Sequence, residues 1–320
     1  MLIRDEHDLD TWRREWRAFH VAMALAEVGV FEALQGGAVA IDELAGRLKI
    51  DARALEITAR TIAARGLLVL DGDRLRLSTA GAAMGPVLTG LKGDLGEVPA
   101  LSTLASHVRS GQPVRRTHGG VVEEDAEGAR RFLGMLHRRS ERAASESAAT
   151  MREVCAGIDR PRILDIGGGH GRYAAAFATR IPGAAVTLFD RAVVLPIARE
   201  FSGEGFAGRA GDFLTDDLGG PYDVAFLSNV VHGEGREGCV TLLRRVRAVA
   251  SRVVVKDLFL DDAGSGPERA ADFGLQMLMY TAAGRSWGRG EMAEMLKETG
   301  FARVRAVELV GEGFGFVIGG

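Results

Sequence analysis

Apolar positions change their spacing several times along the chain. From residue 8 to 35 they recur at helical intervals. Leu9, Trp12, Trp16, Phe19, Ala22, Met23, Leu25, Val28 and Phe31 can share broad apolar faces, and Gly36-Gly37 closes the run. Ile41 to Ala45 and Asp51 to Leu55 predict two short helices. Leu67 to Leu77 then alternates on both sides of Asp71-Gly72, the pattern of a hairpin. Two helices followed by a hairpin predict a winged helix. Residues 78 to 125 are glycine-rich and mixed, with short helices at best. Helical spacing returns from about 127 to 156, with Phe132, Met135, Leu136, Ala143 and Met151 on the side expected to be buried.

Beyond residue 160 short apolar runs alternate with helical stretches, which implies a parallel sheet. Strands are expected at 162–166, 185–189, 206–209, 223–228 and 252–258. Helices are expected near 173–180, 193–201, 237–249, 267–281 and 289–298. Arg303 to Val310 and Phe314 to Ile318 predict a terminal hairpin turning at Gly311-Glu312-Gly313. The break in pattern divides the chain into residues 1–100 and 101–320.

Composition narrows the function more by exclusion than by indication. With 47% hydrophobic and 26% charged residues the chain is ordinary for a globular protein. A net charge of −3 argues against a general nucleic-acid or membrane binder. The second helix of the winged unit carries Arg53, Arg60 and Arg65 but also Asp51 and Glu56, too balanced for a DNA-reading face. Cys155 and Cys239 form neither a disulfide framework nor a zinc site and are expected as buried, inert thiols. No metal is expected. MLIRDEHDLD lacks an apolar signal core, and no apolar run spans a membrane, so a cytoplasmic protein is expected.

The chemistry concentrates at strand ends. Ile163-Leu164-Asp165-Ile166 leads into Gly167-Gly168-Gly169-His170-Gly171, and a helical run begins at Tyr173. Glycines at 167, 169 and 171 let backbone approach a ligand closely, and the helix start offers N–H groups. The spacing departs from the dinucleotide fingerprint, whose third glycine falls here on Arg172, and no Walker lysine follows. Asp190 ends the next strand, where an acid can accept from both ribose hydroxyls. Asp212 in Gly211-Asp212-Phe213 can accept from an adenine amino group while Phe213 packs on the ring. His232, just past the fourth strand, faces the crevice of such a sheet, where a neutral imidazole can take a proton. Asp257, at the neighbouring strand tip, can hold its tautomer.

These residues resemble the small-molecule O-methyltransferases of the caffeic acid and acetylserotonin type, over nearly the whole chain. Val28 to Leu34 with Ile41 to Ala45 resembles that family's dimerisation domain, Leu164 to Gly171 its cofactor loop, and Phe132 to Met135 its pocket helix. Gly284-Arg285-Ser286 through Thr299-Gly300-Phe301 resembles its late acceptor segment. The resemblance implies an α/β fold: a Rossmann-like class I methyltransferase domain behind an N-terminal all-α/winged-helix dimerisation domain. It implies S-adenosyl-L-methionine as cofactor, held by Asp165, Gly167, Gly169, Gly171, Asp190, Asp212, Phe213 and Ser228. It also implies His232 as general base with Asp257 beside it, a homodimer, and a small aromatic or polycyclic acceptor methylated on a hydroxyl. Phe132, Met135, Phe273, Met277, Tyr280 and Trp287 are apolar and aromatic candidates for the acceptor pocket. Three departures stand out: Gly233-Glu234 follow the base instead of Asp-Trp, Ser286 takes the place of a late glutamate, and Ser228 that of a lysine. C- or N-methylation by the same fold is an alternative, as is a cofactor-sensing winged-helix regulator that binds DNA.

Overall fold

Asp5 starts the first helix by accepting the Asp8 N–H at 2.9 Å, and α1 runs Glu6–Glu27. The computed structural model describes residues 3–90, 101–113, 126–264, 266–308 and 314–320. The chain divides into two units, Met1–Thr103 and Leu104–Gly320.

In the first unit α1 has two apolar faces. Ala22, Leu25 and Ala26 are buried against Val30 and Phe31 of the short helix α2 (Val30–Ala33) and against Leu44, Leu55, Ala59 and Ile62. Leu9, Trp12, Trp16 and Phe19 form the other face and are exposed, Trp12 by 60% and Trp16 by 57%. Two helices follow, α3 (Ile41–Leu48) and α4 (Ala52–Ala63), the latter capped by Asp51 on the Ala54 N–H at 2.7 Å. The Asp-Gly turn joins β2 (Leu68–Asp71) to β3 (Arg74–Leu77), and β1 (Val39–Ala40) pairs with β3, adding a small three-stranded sheet to a mostly helical unit. The basic residues near α4 are partly neutralised, Arg60 by Glu56 at 2.7 Å and Arg65 by Glu15 at 3.2 Å. Thr79–Gly90 forms α5, longer than its glycines and Pro86 suggest, with Leu88 packed on the unit's core.

The second unit opens with α6 (Leu104–Ser110), α7 (Ala126–Arg139) and α8 (Glu141–Val154). Strands and helices then alternate: β4 (Arg162–Ile166), α9 (Arg172–Arg180), β5 (Ala185–Asp190), α10 (Val194–Ser202), β6 (Ala207–Ala210), β7 (Tyr222–Ser228), α11 (Arg236–Val249), β8 (Ala250–Leu258), α12 (Glu268–Tyr280), α13 (Arg289–Glu298), β9 (Val304–Glu308) and β10 (Phe314–Gly319). The sheet order is β6-β5-β4-β7-β8-β10-β9. The first five strands are parallel, and β10 enters antiparallel between β8 and β9. The expected hairpin turn at 311–313 lies outside the described residues.

Near-continuous apolar strands are what a sheet covered on both faces requires. One face packs Leu164, Ile166, Leu227, Val253 and Val255 against α11 and α13; the other packs Ile163, Val224, Phe226 and Val254 against α8 and α9. Because the five central strands run the same way, their carboxyl ends open along one edge, where open α/β sheets carry ligands.

Candidate active site at the strand tips

The loop after β4 is shaped by the absence of side chains. Gly167, Gly169 and Gly171 all take positive φ (65°, 50° and 75°), and Gly171 is the N-cap of α9. A Cβ on Gly167 would fall 2.7 Å from Val230 Cγ2. Gly168, which the alternating pattern passes over, is at least as constrained: a Cβ there would lie 2.6 Å from Leu188 Cγ and 2.8 Å from Asp165 Oδ2. The signal was present as the unbroken run of three glycines. Asp165 lies under the loop, buried, with Oδ2 lacking a hydrogen-bond partner. Burial, and then the charge of Asp190, push its carboxyl well above the usual range. It supports the cradle from below. At His170 burial, then His137 and Arg172, push the imidazole down to about 4, and its Nδ1 accepts the Arg172 N–H at 3.2 Å.

Asp190 closes the loop on the β5 side. Its two oxygens accept the N–H groups of Gly169 (2.8 Å) and Arg191 (2.7 Å), and each keeps a second lone pair for a ligand hydroxyl. Burial raises its pKa, against the lowering effect of those two hydrogen bonds. Asp212 accepts the Leu214 N–H at 2.8 Å and stands 3.4 Å from Arg191 Nη2. Phe213 is half-buried against the core. Glu234, noted in the sequence only as a departure, is electrostatically coupled to this corner: burial and then the Asp212 charge raise its carboxyl. A glycine cradle, an acid with anchored oxygens and a second acid beside an aromatic ring fit a nucleoside with a ribose diol.

The other half of the edge belongs to β7 and β8. After β7 a single 3-10 turn, Val231–Gly233, carries His232. Its Nδ1 lies 2.8 and 3.0 Å from the two oxygens of Asp257, with both side chains buried. The Leu258 N–H donates to the same carboxylate at 2.8 Å. A carboxylate on Nδ1 selects the tautomer with its proton there and makes Nε2 the basic nitrogen. Phe273 stands edge-on to the imidazole, ring centroids 4.6 Å apart. His232, Asp257 and Phe273, expected from the sequence as base, its partner and a pocket residue, thus lie against one another.

The other expected pocket residues lie on α7, on α12 and just before α13. Met277 is buried and Tyr280 half-buried on α12, while Met135 is half-buried on α7. Phe132 is 47% exposed; the buried side of α7 is formed by Ala129, Leu133 and Gly134 against α10. Trp287 lies in the core cluster of α11 and α13, its indole N–H donating to the Val231 carbonyl at 3.0 Å. Ser286, in the late glutamate's place, donates to the Ala270 carbonyl at 2.6 Å and ties its loop to α12. Ser228 is buried beside the Tyr173 phenol. Its register partner on β8 is Lys256, overlooked in the sequence. Lys256 is 1% exposed, and its ammonium makes no hydrogen bond or ion pair among the described residues. It lies 4.1 Å from the Phe314 ring centroid and 5.5 Å from that of Tyr173, and burial pushes its pKa down to about 8. Cys155 and Cys239 are buried, and burial raises their thiols to about 11 and about 12. No metal-holding cluster of His, Cys, Asp or Glu occurs among the described residues, nor any helix long and apolar enough to cross a membrane.

Residues 102–302 match the family model of the O-methyltransferase domain. The chain is 29% identical to 3-hydroxy-5-methyl-1-naphthoate 3-O-methyltransferase of Streptomyces sahachiroi, over 95% of this chain and 92% of that one. In fold it is similar to PigF, solved with SAH (TM-score 0.81, 21% identity, 99% of each chain). It is similar too to human N-acetylserotonin methyltransferase, solved in complex with SAM (TM-score 0.75, 21% identity, 99% of this chain and 98% of that one).

Proposed function

Because the chain belongs to the O-methyltransferase domain family, we propose that its strand-tip crevice binds S-adenosylmethionine and methylates a hydroxyl of a small aromatic or polycyclic metabolite. The observation that carries this reading is the pairing of His232 with Asp257 at 2.8 Å on the same sheet edge as the glycine cradle. Gly167 to Gly171, Asp190, Asp212 and Phe213 would hold the cofactor. When bound, it supplies a methyl group on a sulfonium, with a neutral thioether as leaving group. On this reading His232 Nε2 takes the proton of the acceptor hydroxyl that is to be methylated. Asp257 stabilises the resulting imidazolium through Nδ1–H. In-line placement of acceptor and methyl is the larger contribution, up to ~7–11 kcal/mol in well-oriented systems; general-base help is worth ~10²–10⁴ in rate. An aromatic acceptor suits Phe273 and Met277 on α12, and the Streptomyces relative is named for a hydroxynaphthoate.

The same reading makes the first unit a winged-helix homodimerisation module. Leu9, Trp12, Trp16 and Phe19, spaced three and four apart on α1, are an exposed apolar stripe suited to a second copy. It keeps the protein cytoplasmic, in line with two unbridged buried thiols. Trp12→Glu with Trp16→Glu should convert a sedimenting dimer to monomer; an unchanged dimer would remove α1 from the interface.

His232→Ala tests the catalytic reading. Binding of S-adenosylhomocysteine, read by calorimetry, should be retained while turnover falls by roughly two to four orders of magnitude, with partial recovery at higher pH for a phenol. Near-normal turnover at neutral pH would show that His232 is not the base.

A further inference from the structure

A one-turn helix cannot hold a catalytic side chain by its own hydrogen bonds, yet His232 sits on one. The turn is held from behind. Besides the turn's own Glu234 N–H at 3.2 Å, two side chains donate to the Val231 carbonyl: the Trp287 indole N–H at 3.0 Å and the Cys239 S–H at 3.2 Å. The His232 carbonyl accepts the Arg285 N–H at 2.9 Å. Gly284 lies so close that a Cβ on it would fall 2.3 Å from the His232 oxygen.

Trp287 reaches both members of the pair. Its indole holds the turn that carries His232, and its backbone carbonyl accepts the Leu260 N–H at 2.9 Å, three residues beyond Asp257. The ring is 4% exposed and packed in the core cluster, with the Arg285 guanidinium 4.7 Å above it. One residue, by its indole on one side and its backbone carbonyl on the other, therefore joins the end of β7 to the end of β8 at a place where their ladder has stopped. Cys239 is the weaker donor of the two.

We propose that Trp287 is a positioning residue for the base, setting the His232 turn relative to Asp257 through its indole N–H rather than lining the acceptor pocket. This rests on the reading of His232 as base. A misplaced base loses catalysis without losing cofactor or acceptor binding. The effect should therefore appear in kcat and not in KM.

The decisive variant replaces Trp287 by benzothienylalanine, which keeps the bicyclic shape but carries sulfur in place of N–H. Trp287→Phe is the simpler companion. Two readouts are compared with wild type: kinetics with 6-hydroxy-2-naphthoate and 2-naphthol as probe acceptors, and ¹⁵N-histidine NMR of the His232 Nδ1–H. Expected are a 5- to 50-fold fall in kcat, KM and S-adenosylhomocysteine affinity within twofold, and at least tenfold faster exchange of the Nδ1–H proton. If neither probe is turned over, the NMR readout alone decides. Unchanged exchange and unchanged kcat would overturn the proposal. So would parallel losses of kcat, cofactor affinity and thermal stability, which would reduce Trp287 to core packing. His232→Ala separates the two readings: normal turnover there refutes the base, whereas its loss beside a silent Trp287 variant refutes only the clamp.

Discussion

The two halves of the strand-tip edge are built by different means. On the β4–β6 side the cradle is mostly backbone: five consecutive residues, three positive φ angles, and N–H groups bound to Asp190. On the β7–β8 side it is side chain: His232, Asp257, Phe273 and Trp287 converge from four separate segments. A backbone site is written compactly and leaves little room for added atoms, because at Gly167 and Gly168 neighbours already fill the space a Cβ would need. A side-chain site is spread over the chain, and each member depends on partners that hold it from outside.

Breaking the first half should give the largest effect. Gly168→Val would drive a branched side chain into Leu188 and Asp165 and should abolish S-adenosylhomocysteine binding in calorimetry; retained affinity would mean the cradle yields more easily than its contacts suggest. Next comes Asp257→Asn, which keeps the shape but loses the anion that holds His232. Turnover should fall by roughly 10²–10³ with cofactor affinity unchanged, so a joint loss would dissolve the distinction between the halves.

Lys256 sharpens the comparison from the side of stability. Its folded pKa, near 8, lies below its ordinary 10.5, so the unfolded chain binds more protons between those values and stability rises as pH climbs through that window. Lys256→Met should therefore stabilise the protein at pH 7, by an amount on the order of 1–3 kcal/mol after the lost ring contacts are counted, and the gain should shrink towards pH 10. Urea unfolding at both pH values reads it; a destabilised variant would show that the ammonium is better solvated than its surroundings indicate. The smallest effect is Ser286→Ala, which removes one hydrogen bond to Ala270 and should cost about 0.5–1.5 kcal/mol with turnover within about twofold. A collapse in turnover would restore to Ser286 the role of the late glutamate it replaces.

Much of this was legible from spacing alone. Strands expected at 162–166 and 252–258 appear at Arg162–Ile166 and Ala250–Leu258, and the helix expected at 289–298 is Arg289–Glu298. Long apolar runs leave little freedom in a sheet buried on both faces. The positions of Gly167, Asp190 and His232 at strand ends followed from the same pattern. What spacing could not separate was one apolar surface from another. Phe132 and Leu133 are neighbours of equal hydrophobicity, yet Leu133 is buried and Phe132 exposed, because α10 covers only one side of α7. Trp287 read as pocket and proved to be core, and Ser286 read as an absent acid and proved to be a tether. The sequence by itself determined the strand–helix alternation, the run of glycines after β4 and the acids and histidine at the strand tips, since those depend on local spacing and backbone freedom. Only the tertiary structure decided which nitrogen of His232 meets Asp257, what holds that turn, and that Lys256 is buried against the Phe314 and Tyr173 rings, because these are contacts between residues distant in the chain, which local periodicity does not encode.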